Sequence, residues 1–61
     1  MSIKMRLLVL KKKQVDLLPA LSSIGVVVDA PELSRAINGC PQPRYEAIRK
    51  AVDIVLTAWE E

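Results

Sequence analysis

The chain has no histidine and no phenylalanine, and only one cysteine among its 61 residues. Without histidine it lacks the side chain best suited to proton transfer at neutral pH. The single cysteine, Cys40, excludes a disulfide within the chain and leaves a zinc site without a second thiolate. The two glycines, Gly25 and Gly39, stand too far apart for a phosphate-cradling loop. No pair of carboxylates shares an apolar setting, and Ser34 has no recognisable base beside it. These absences point to a non-enzymatic protein with no catalytic site, no metal, no cofactor and no evident small-molecule ligand.

Long apolar runs are missing as well. The longest covers residues 7–10, far short of a membrane span. Lys11, Lys12 and Lys13 break it too early for a secretory leader. A lone cysteine suits a reducing compartment, so the expected location is cytoplasmic, with no membrane partner. Aromatics are limited to Tyr45 and Trp59, while 51% of residues are hydrophobic. The core must therefore come from Leu, Ile, Val and Ala. Residues 1–61 make one domain, and so short a chain buries only about 60% of its unfolded surface. Association with a second copy is one way to add stability.

The net charge is only +2, but it is unevenly spread. Residues 1–14 hold Lys4, Arg6, Lys11, Lys12 and Lys13 with no acid. A basic end on a nearly neutral chain suits contact with a polyanion.

Periodicity predicts an all-α, compact four-helix domain. The first helix covers residues 3–11, capped by Ser2, with Ile3, Leu7 and Leu10 on one face. Residues 3–7 also alternate as a strand would, so a ribbon-helix-helix protein is an alternative. The second segment covers residues 14–23. Pro19 is tolerated only in a first turn, which makes Asp16 the expected cap and Leu17 the start of a short helix. Gly25 ends it, and Val26, Val27 and Val28 resist a helix and run extended. The third helix opens on Asp29, Ala30, Pro31 and Glu32, a capping box with proline in the first turn. Leu33, Ala36 and Ile37 form its buried stripe, and Asn38 with Gly39 ends it. Pro43 begins a fourth helix running over residues 44–59. Its apolar side chains cover an arc of roughly 200°. Tyr45, Ile48, Val52, Val55, Leu56 and Trp59 form one part, and Ala47, Ala51, Ile54 and Ala58 the other.

Gln14, Val15, Asp16 and Leu17, together with Pro31, Glu32, Leu33, Ser34, Arg35, Ala36, Ile37, Asn38 and Gly39, resemble the helix-turn-helix of the Cro/repressor type. The resemblance extends over about residues 3–56, with the nine residues from Pro31 the tightest part. There the Leu-Ser-x-x-Ile-Asn-Gly run matches the back half of that family's recognition helix. Two departures stand out. The connection between the second and third helices is about five residues longer than the family norm, with room for a small wing or hairpin at the three valines. Leu18 occupies the position where the family usually has a small residue.

The resemblance implies a DNA-binding transcriptional regulator with its third helix in the major groove of double-stranded DNA. Base contacts are then expected from Ala30, Pro31, Glu32 and Arg35. Phosphate contacts are expected from Lys11, Lys12, Lys13, Gln14, Ser34 and Asn38. The unused apolar arc of the fourth helix, made of Ala47, Ala51, Ile54 and Ala58, predicts a homodimer. The alternative is a protein-interaction module or inhibitor that uses that same face.

Overall fold

The structure, a computed structural model, describes residues 2–61. It contains four helices: α1 (Ile3–Val9), α2 (Gln14–Ser23), α3 (Ala30–Ile37) and α4 (Pro43–Glu60). There is no strand among the described residues, so neither the ribbon nor the wing is present. Residues 3–9 are helical, which removes the ribbon, and the three valines run extended with no second strand to pair with.

α1 begins as expected, with the Ser2 hydroxyl accepting from the Met5 N–H at 3.1 Å. It ends two residues early because Lys11 takes a left-handed conformation, φ 58°. The Lys11 N–H then bonds the Leu8 carbonyl at 3.0 Å, and the Lys12 N–H bonds the Leu7 carbonyl at 2.9 Å. This pair of bonds is the Schellman ending. Gly25 and Gly39, at φ 86° and 89°, close α2 and α3 in the same way. Their second bonds run from Val26 to Leu21 at 2.9 Å and from Cys40 to Arg35 at 3.1 Å.

α2 departs from expectation at its start. Asp16 is not the cap but the third helical residue; Lys13 is the cap. The Asp16 carboxylate reaches back to accept the Lys13 N–H at 2.9 Å. A negative charge in the first turn also suits the positive end of the helix dipole. Pro19 therefore sits inside the helix as its sixth residue. Having no N–H, it leaves the Val15 carbonyl without its intrahelical donor. Val15 is 59% exposed, so water can reach that part of the backbone.

The connection from α2 to α3 is extended. Val26 and Val28 pack on the core, while Val27 points out at 79% exposure. α3 has the predicted capping box: Glu32 N–H to the Asp29 carboxylate at 2.8 Å, and Asp29 N–H to the Glu32 carboxylate at 3.4 Å.

α4 is the spine against which the other three helices pack. Leu7, Leu17, Leu21, Leu33 and Ala36 meet Tyr45, Ile48, Val52, Val55 and Leu56 in one core. Ala51 belongs to that core too, at 7% exposure, so it is not part of an outer α4 face as its place in the apolar arc had suggested. The core needs a small residue where α4 is approached closely, and Ala51 supplies it. The radius of gyration is 10.5 Å, the value of about 10.5 Å that a compact chain of this length should have. No helix of the described residues is long and apolar enough to cross a membrane.

Candidate nucleic-acid interface

α3 is only eight residues long, and a helix that short needs outside support. Leu33 and Ala36 anchor it in the core. Three polar contacts hold it from outside. At its first turn, the Glu32 carboxylate pairs with the Arg44 guanidinium at 2.6 and 2.8 Å. At its end, Arg49 donates to the Ala36 and Cys40 carbonyls at 3.1 and 2.9 Å. On its outer side, Lys4 of α1 donates to the Asn38 side-chain oxygen at 2.6 Å.

These contacts reassign several of the expected DNA-contacting residues. Glu32 is committed to Arg44 and to its cap, so it is not a free acceptor for a cytosine amino group. Asn38 is engaged at both ends of its amide. Its oxygen accepts from Lys4, and its nitrogen donates to the Ser34 carbonyl at 2.9 Å and, more weakly, to the Ser34 hydroxyl at 3.3 Å. Ser34 and Asn38 thus form a local brace that occupies the Asn38 amide, while the Ser34 hydroxyl only accepts in it and keeps its own hydrogen to donate. Lys12 lies over the Trp59 ring, 5.2 Å from its centre, in a cation–π contact at the far end of α4.

Ala30, Pro31 and Arg35 remain exposed on the outer face of α3. Arg35 pairs with neither Asp29 nor Glu32. A hydrogen bond to the Tyr45 side chain is the main reason its pKa is pushed further up, and like any arginine it is a cation throughout the physiological range. Two more cations flank it, and neither stood out from the sequence. Arg44, 57% exposed at the side chain, stands at the first turn of α3, and Lys4 stands at its last. Lys4, Lys12 and Gln14 line a common shallow depression with Leu7 and Leu8, which carries the basic strip onto α1 and the start of α2. Lys11 and Lys13 are exposed near that strip. Lys12 thus shares a depression with Lys4, and Lys4 alone reaches the end of α3. Local sequence holds no sign of this, because the Lys4 contact spans 34 positions.

Arg6 leaves the basic set altogether. It bonds Asp53 at 2.6 Å and the Glu60 carboxylate at 2.7 and 2.9 Å, with the Thr57 hydroxyl at 3.4 Å. The Arg6 hydrogen bond is the main cause that holds the Glu60 carboxyl below its usual range. Arg6 is thus the clasp between α1 and α4.

Comparison with known protein families, with curated proteins and with solved structures finds no match for this chain.

Proposed function

We propose that the chain is a sequence-specific DNA-binding regulator that reads double-stranded DNA with α3 in the major groove. The observation that carries this reading is Arg35: an exposed cation with no carboxylate partner in the last turn of a short, externally braced helix, with Arg44 and Lys4 at either end. A major groove about 12 Å wide admits one helix, and arginine bonds guanine in a bidentate manner. Lys11, Lys13 and Gln14 are suited to phosphates beside that groove, while Arg44 and Lys4, engaged with Glu32 and Asn38, add positive charge at its two sides. Ala30 and Pro31 offer apolar contact to a thymine methyl group.

The test is selection of a binding site from random DNA, followed by salt titration. A defined sequence should emerge, and its affinity should fall steeply with salt as several phosphates are neutralised. Arg35→Ala should weaken that site about 5- to 150-fold and relax one base position. Lys13→Ala should weaken all sequences alike and reduce the salt slope by about one unit. Selection that enriches nothing, or equal loss by both variants on every sequence, would overturn the groove assignment.

A second reading has one observation in its favour. Met5, Leu8 and Val9 are exposed on the outer face of α1, as in a module that binds another protein. Under that reading, Leu8→Glu abolishes activity while Arg35→Ala does not.

A further inference from the structure

On the reading that α1 binds another protein, we infer that its outer face takes an amphipathic helix, with an apolar stripe over Met5, Leu8 and Val9 and carboxylates along the flank that meets Lys4 and Lys12. This docking is independent of whether α3 reads DNA.

Met5, Leu8 and Val9 are 50%, 70% and 66% exposed. At about 100° per residue they fall together on the side of α1 opposite Leu7, which is buried in the core. Apolar residues at positions i, i+3 and i+4 form one half of a helix–helix seam. Beside Leu8 lies a shallow hollow of about 190 Å³, and its lining is both apolar and basic: Lys4, Leu7, Leu8, Lys12 and Gln14. The face thus offers projecting side chains and a depression next to them, which is what two interlocking helices require.

The charges decide the occupant. Lys4 stands on one flank, with Lys11, Lys12 and Lys13 exposed around the end of the helix. Among the described residues, no carboxylate pairs with any of these four. On the other flank Arg6 is neutralised by Asp53 and Glu60. Asp16, the nearest acid in sequence, is bonded to the Lys13 N–H. A partner with carboxylates along one flank neutralises the lysines while its apolar stripe covers the three side chains. A second copy has no uncommitted carboxylate on this face to offer. DNA would meet the lysines and leave the apolar side chains in water. An anionic bilayer would cover both, but it is broad, and it would also press negative charge against Asp53, 64% exposed at the side chain on the far flank. A single helix, about 10 Å across, brings its carboxylates to one flank only.

The probe is a synthetic helix of about 20 residues, long enough to hold its shape, with leucines three and four apart and glutamates beside them. A second peptide carries lysines in place of the glutamates, and no DNA is present. The acidic peptide should bind the whole chain saturably, with amide shifts changing over residues 4–15 and affinity falling as salt rises. Leu8→Glu should keep the helical circular dichroism, because Leu8 is outside the core, and should weaken binding about tenfold or more. Lys12→Glu should weaken it about tenfold. If both peptides bind α1 alike, the acidic partner is overturned while α1 stays a protein-binding face. If neither binds, or the shift changes fall elsewhere, the docking surface itself is overturned and the groove assignment of α3 is untouched. Binding to phosphatidylglycerol vesicles in preference to the acidic peptide would overturn the helical partner in favour of a lipid surface.

Discussion

Lys11 is the one non-glycine among the described residues held at positive φ. A β-carbon there crowds the following carbonyl, at a cost of roughly 1 kcal/mol. Glycine carries no such cost, and the ending needs only backbone groups. Lys11→Gly should therefore raise stability by about 1 kcal/mol, seen as a higher urea midpoint with an unchanged slope. A fall in the midpoint would mean that the lysine side chain does something its exposed position does not reveal. Residue roles were the least legible part of the sequence. Glu32, Asn38 and Lys12 carry the right groups for DNA, and from the sequence alone each looks free. Their partners, Arg44, Lys4 and Trp59, stand 12, 34 and 47 positions away. Only the fold brings such pairs together. Arg35 is the opposite case: Glu32 lies one helical turn before it, yet its neighbour in space is Tyr45.

Elements were more legible, and where they were is instructive. α3 was placed to within a residue because its signals are local: Asp29, Pro31 and Glu32 at one end and Gly39 at the other. α4 was read from Pro43 and from its long apolar periodicity. α2 was misread at its start because proline was assumed to stay in the first turn. The helix instead begins earlier and tolerates Pro19 beside the exposed Val15 backbone. Removing that irregularity should help. Pro19→Ala restores the donor to the Val15 carbonyl and relieves the ring's clash with it. It should raise stability by about 1–3 kcal/mol, less the gain in freedom of the unfolded chain. Thermal unfolding followed by circular dichroism checks this, and a lower melting temperature would mean that a bend at Pro19 is needed for α2 to fit against α4. The extended valines were legible as non-helical, but periodicity alone did not reveal that they run singly, without forming a hairpin.

At the scale of the whole molecule, one hydrophobic core holds four short pieces together, and Arg6 joins the first to the last. The clasp makes stability depend on pH. The Glu60 carboxyl is held below its ordinary value of 4.5. Its contribution is therefore complete above pH 4.5 and is lost as pH falls through the lower, folded value. Glu60→Gln should lower the melting temperature at neutral pH and flatten its decline below pH 4.5, in a series of melts taken across that range. An unchanged acid limb would show that the pair is no stronger in the folded chain than in the unfolded one. The same clasp bears on the order of events in folding. α2, α3 and the first half of α4 are near neighbours in sequence and can meet early, whereas Arg6 reaches across 47 and 54 positions to Asp53 and Glu60. A loop that long closes slowly and brings no reward until the rest is formed. α1 is thus set to dock after the rate-limiting step. The clasp then governs how fast the native molecule comes apart, and has little influence on how fast it is made.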